Sequence, residues 1–117
     1  MVYRKILDEL VAAVAGSDGA LLLDANGEVI EGTGAADERL QLIAAYQGIA
    51  LSSAQKTSAR YDIGSIEYLL CRYKAGSVIL RPLKEGFYLM LALGPEASVA
   101  QGLRHSDSAR ERLDAEM

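Results

Sequence analysis

The sequence predicts an α+β fold: a five-stranded antiparallel sheet with a long central helix on one face and two terminal helices on the other. Three observations carry this expectation. Segments of helical and strand period follow one another as helix, hairpin, helix, three-strand meander, helix. The late strands VIL (78–80) and FYLMLAL (87–93) are apolar at consecutive positions, so both faces of the sheet need a cover. The long middle helix keeps charge out of the sixteen residues from Leu40 to Gln55, more apolar surface than one sheet can hide.

In the first helix, predicted over 2–15, Val2, Ile6, Leu7, Leu10, Val11 and Val14 form one stripe opposite Arg4, Lys5, Asp8 and Glu9, and Gly16 stops it. A hairpin follows, with ALLL (20–23) and EVI (28–30) flanking Asn26-Gly27, the pair suited to a tight two-residue turn. Gly32 and Gly34 are expected to break the second strand, and Asp37 or Thr33 to cap the long helix, which should run to about Ala59. Strands are then predicted over 66–73, 78–83 and 87–93, separated by Lys74-Ala75-Gly76 and Lys84-Glu85-Gly86. Gly94-Pro95 should end the sheet and open the last helix at about Ala97.

Composition narrows the function. With 117 residues, half of them hydrophobic, a single domain over 1–117 is expected, ending in a charged helix or tail at 104–117, where seven of fourteen residues carry charge. Twelve basic against sixteen acidic residues, without a Lys/Arg cluster, argue against nucleic acid. No apolar run reaches the roughly 18 residues of a membrane span, and MVYRKILDEL lacks a signal-peptide core, so a cytoplasmic location without membrane insertion is expected.

Chemistry finds little footing. EGTGAAD (31–37) spaces two glycines like a dinucleotide fingerprint but lacks the third and puts Asp37 where a phosphate would sit, so a capped strand-to-helix connection is expected. His105 lies in a charged segment and should be solvated; Cys71 lies inside a strand and should be a small buried residue, not a reactive thiol. One Cys and one His cannot make a structural zinc site. Glu28, Glu31, Asp37 and Glu38 read as surface or helix-start carboxylates with no acid/base pairing, and Arg60 and Arg72 as isolated arginines. Neither an enzyme nor a cofactor is expected.

The middle helix points instead to association. At about 100° per residue, Leu40, Ala44, Leu51, Ala54, Ile43 and Ala50 make a sheet-facing stripe, and Tyr46, Leu42 and Ile49 continue it to an apolar arc of roughly 220°, where about 100° is usual. Gln55, Gly48, Gln41, Ser52, Ala45 and Lys56 are left for water. Scattered exposed apolar residues are one explanation. The other is a second copy of the helix against Leu42, Tyr46, Ile49 and Ser53, worth on the order of 9–18 kcal/mol gross against an association cost of about 4–15 kcal/mol. The outermost meander strand, with Ile66, Tyr68, Leu70 and Tyr73, would add an open, proline-free edge to the same interface. A homodimer is expected.

The order helix, GALLLDANGEVI, long small-residue helix, IEYLLCRYKAGSVILRPLKEGFYLMLAL and closing helix resembles the roadblock/dynein light chain family, including its prokaryotic MglB-like members. The likeness covers nearly the whole chain and rests most on GALLLDANGEVI and VILRPLKEGFYLMLALGP; no catalytic motif defines it. It implies the fold given above, roadblock-like and profilin-like, and dimers formed through the central helix and its neighbouring edge strand. It further implies binding of a small Ras-like GTPase and regulation of its GTP hydrolysis by positioning that protein's own catalytic groups. Gln41, Ala45, Ser52, Gln55 and Lys56 are the candidate partner-binding residues. The alternatives are a dimeric scaffold or adaptor subunit of a larger complex, and a small-molecule sensory domain, against which the space-filling strand aliphatics argue. SVAQGLRHSDSARERLDAEM (98–117) departs from the family in its polarity and in Gly102, which puts its docking in question.

Overall fold

The structure, a computed structural model, describes residues 2–34 and 37–117. Its elements are α1 (Val2–Ala13), β1 (Ser17–Leu23), β2 (Val29–Gly34), α2 (Glu38–Tyr61), β3 (Leu69–Tyr73), β4 (Gly76–Pro82), β5 (Tyr88–Leu93) and α3 (Val99–Glu116). The five strands form one antiparallel sheet in the order β2-β1-β5-β4-β3. β1 and β5 lie inside it, so LLL and YLMLAL are buried along their whole length.

Two apolar layers enclose the sheet, as the unbroken strand hydrophobicity demands. On one face Ile6, Leu7, Leu10 and Val14 of the α1 segment and Ala109 and Leu113 of α3 meet Leu22, Ile79, Leu89 and Leu91. On the other, Leu40, Ala44 and Leu51 of α2 meet Leu21, Leu23, Leu80, Tyr88 and Met90. Val2, expected on the α1 stripe, is exposed instead, at the first position of the helix.

The polar α3 does dock. Gly102 is buried against Leu93 and Ile79 side chains, where a Cβ would crowd them. Arg112 pairs with Glu9 of α1, and Asp114 accepts from the Lys84 backbone N–H at 3.0 Å. The polarity seen in the sequence therefore belongs to the outer face and to these cross-links.

Several boundaries move for local reasons. The β1–β2 turn is longer than the two residues expected: Gly27 N–H donates to Asp24 C=O at 3.0 Å and Asp24 N–H to Glu28 C=O at 2.9 Å. Only Gly27 needs a left-handed φ, at 81°, while the Asp24 carboxylate accepts from the N–H groups of Asn26 and Glu28. β2 is not broken at Gly32 and Gly34; they pair with Leu21 and Gly19, held by the backbone of β1. α3 begins at Val99 with Ser98 as its cap, two residues beyond the expected start, since its hydroxyl accepts from Gln101 N–H at 3.1 Å. β3 begins at Leu69, not Ile66, because Pro82 on the facing strand has no N–H with which to extend the ladder.

Candidate interaction surface

α2 owes its length to well-formed ends. Asp37 is the N-cap, its carboxylate accepting from Leu40 N–H at 2.9 Å, and Asp62 ends the helix in a left-handed conformation with its N–H on Ser58 C=O. Thr33, the other candidate cap, is in β2 and bonds Asp8 instead. Ala35 and Ala36, the centre of the EGTGAAD connection, lie outside the described residues.

Leu40, Ala44 and Leu51 of α2 lie on the sheet as expected, but the roll differs in detail. Gly48, assigned to water, faces inward: a Cβ there would overlap the Tyr88 hydroxyl and ring. Tyr88 donates from its hydroxyl to Ala44 C=O at 3.1 Å, and burial, reinforced by Asp24, raises its pKa above the usual tyrosine value. The helix thus seats through Ala44 and Gly48, where small side chains let backbone and ring come close. That roll leaves Ala50 exposed, Ala45 and Gln55 half-buried, and turns the large residues outward. Leu42 is 54% exposed, Tyr46 71% and Ile49 67%, with Ser53 exposed beside them. Tyr61 and Ile63, which the sequence reading did not select, are also exposed at the end of the helix.

β3 is an edge of the sheet, paired only with β4. Its side chains divide between the faces. Tyr73 and Cys71 point to the α2 side, where the Gln47 amide donates to the Tyr73 hydroxyl and the Cys71 thiol donates to Gln47 Oε1 at 3.2 Å. Cys71 is half-buried, and burial pushes its thiol pKa up, away from thiolate chemistry. Leu70 belongs to the opposite layer, and Tyr68 stacks there on Arg81. Ile66 is partly buried against the α2-side core. The eight residues expected at a self-interface therefore form no single apolar face: four lie on the outer side of α2, Leu70 and Tyr73 on opposite faces of β3, and Ile66 and Tyr68 in the segment that leads into it.

The five expected partner contacts separate too. Ala45, Ser52 and Lys56 line a cleft of about 280 Å³ between α2 and the β1–β2 turn, with Asn26 and Tyr88 opposite. Gln55 instead borders a wider, open groove of about 630 Å³ beside Ile66, Pro82 and Asp114. Gln41 is exposed near the helix start.

His105 is half-buried, with Nε2 at 3.2 Å from Gln101 Oε1 on the same helix. Arg60 lies 5.8 Å from the Tyr61 ring centre, and Arg72 is exposed. The sequence reading overlooked Arg81, the only buried charged residue among the described residues. A charge interrupting the apolar run VILRPL was the available signal. Among the described residues there is no cluster of three or more metal-ligating side chains and no helix long and apolar enough to cross a membrane.

The comparisons agree with this architecture. No curated protein matches the sequence. Among solved structures, a Roadblock/LC7 domain from Streptomyces avermitilis is 18% identical over 96% of this chain and 94% of that one, with a TM-score of 0.84. Myxococcus xanthus MglB is 13% identical over 97% of this chain and 92% of its own, with a TM-score of 0.83. An MglB with a tetrameric arrangement is 18% identical over 97% and 85%, with a TM-score of 0.84. At such identities the likeness is one of fold. The Roadblock/LC7 domain family matches residues 4–93 directly in sequence, and the chain belongs to it.

Proposed function

We propose that the chain is a single-domain, non-catalytic cytoplasmic module that forms a homodimer through α2 and the β3 edge and uses the paired helices to bind a small Ras-like GTPase and regulate its hydrolysis. The observation that carries the reading is the uncovered outer face of α2, with Leu42, Tyr46 and Ile49 more than half exposed next to an unpaired strand edge. Adjacent apolar side chains of this size on one helix face are a binding surface, whereas singly scattered ones need no explanation.

Energetics ask for both elements. The three side chains are already partly covered, so roughly two side-chain equivalents per copy remain to be hidden, on the order of 6–12 kcal/mol gross for a pair. That does not clear an association cost of about 4–15 kcal/mol. Main-chain hydrogen bonds along β3 supply the balance and give the pairing its direction. The GTPase part rests on family membership and on the fold shared with MglB. Ser52 and Lys56 line the cleft between α2 and the β1–β2 turn, a cleft that Ile49 and Ser53 also border, so a partner bound there would meet the rim of the paired helices.

The test has two stages. Light scattering over a micromolar dilution series reads the oligomer, and a chain that stays monomeric refutes the dimer. Single-turnover GTP hydrolysis by small Ras-like GTPases of the source organism is then measured with and without the protein. A changed rate that disappears in Lys56→Glu supports regulation through this surface; no change with any of them, alongside stable co-elution, leaves a scaffold role.

A further inference from the structure

Arg81 sits in β4 on the α1/α3 face, buried beneath α3 and the residues that lead into β3. Its Nε donates to Ser106 Oγ at 3.1 Å and its Nη2 to Leu103 C=O at 2.7 Å, both on α3. Nη1 donates to Glu67 C=O at 3.2 Å, and the guanidinium lies 4.9 Å from the centre of the Tyr68 ring. Asp107 approaches Nη1 at 4.0 Å. A buried guanidinium lacking such partners costs several kcal/mol, so its full set of acceptors is what permits it there.

The reason for an arginine at this position is in the backbone. β3 and β4 pair Tyr73 with Gly76 and Leu69 with Leu80, a register that sets Glu67 opposite Pro82. Leu83 N–H donates to Phe87 C=O across the β4–β5 turn. Alternation then turns the amides of odd-numbered residues of β4 toward β5 and those of even-numbered residues toward β3. Pro82 is the next even position, and it has no N–H. The ladder therefore stops at Leu69, and the Glu67 carbonyl takes its hydrogen bond from Arg81 instead.

We propose that Arg81 is a positioning residue for the sheet edge: its guanidinium gives Glu67 the hydrogen bond that Pro82 withholds, and so makes the edge offered to a second copy of this chain depend on the docking of α3. The part concerning a second copy rests on the homodimer reading above. The remaining links are geometric. Leu103 and Ser106 fix the guanidinium from the α3 side, the guanidinium fixes Glu67 and Tyr68, and these lead directly into Leu69. Loosening α3 removes two of its acceptors, and the start of β3 is released from β4.

Native-state hydrogen exchange and dilution light scattering on the full chain test this, using Arg81→Met, Ser106→Val and the double variant Arg81→Met/Pro82→Ala. Arg81→Met should speed exchange of the Leu69 amide, the first of β3 that faces β4, by about tenfold or more and weaken self-association by a similar factor. Ser106→Val, altered only on α3, should speed the same amide. In the double variant the amide newly present at position 82 should exchange slowly, and protection of Leu69 and association should both return, a rescue that loss of packing alone would not give. Faster exchange confined to α3, or a double variant no better protected than Arg81→Met, overturns the proposal. Should Arg81→Met fail to fold, Ser106→Val decides it by whether the Leu69 amide responds. A monomeric parent chain refutes the homodimer reading and the edge half of this proposal, and the exchange pattern still decides the clamp.

Discussion

Replacing Ile49 by alanine separates self-association from folding. The side chain is 67% exposed in the single chain, so its loss removes few internal contacts and should leave monomer stability within about 0.5 kcal/mol. If α2 pairs with its copy, that exposed two-thirds is buried twice, once per subunit. At about 1.5–3 kcal/mol for complete burial, the variant loses on the order of 2–4 kcal/mol of association energy. The dissociation constant then rises roughly 30- to 1000-fold. Sedimentation equilibrium across a concentration series measures this, with urea melts of each variant under monomeric conditions as the control. Tyr46→Ala, at 71% exposure, should behave alike, and Ile49→Asp should abolish pairing by placing an uncompensated charge in the contact. Dissociation constants unchanged within twofold for Ile49→Ala and Tyr46→Ala would refute the reasoning, because the surface singled out would then be uninvolved.

Other outcomes follow from the seat of α2. Gly48→Ala should destabilise the fold by about 1–3 kcal/mol in denaturant titrations, since its methyl meets the Tyr88 hydroxyl, and Tyr88→Phe should relieve part of that loss. Tyr88 also sets an alkaline limit. Its folded pKa lies above the ordinary value of 10.0, so its contribution is fully present below that pH and is lost as pH rises through the higher folded value. Urea midpoints should fall more steeply above pH 10 in the parent than in Tyr88→Phe. Asp37→Ala removes the acceptor for Leu40 N–H and should cost about 1 kcal/mol, read as a lower melting temperature.

The sequence by itself determined the order of elements, the double-faced burial of β4 and β5, and the surplus of apolar surface on α2, because each is a matter of periodicity and composition within one segment. Only the tertiary structure decided how α2 rolls. A helical wheel placed Leu40, Ala44 and Leu51 on the sheet and Tyr46 and Ile49 away from it, but it does not fix the exact roll, and the close fit of Gly48 on Tyr88, far along the chain, brought Gly48 inward and left Ala50 exposed. The same limit explains the overlooked Arg81 and the late start of β3. Both depend on Glu67 facing Pro82, with Ser106 and Leu103 arriving from α3, an encounter of segments distant in the chain that no local pattern encodes.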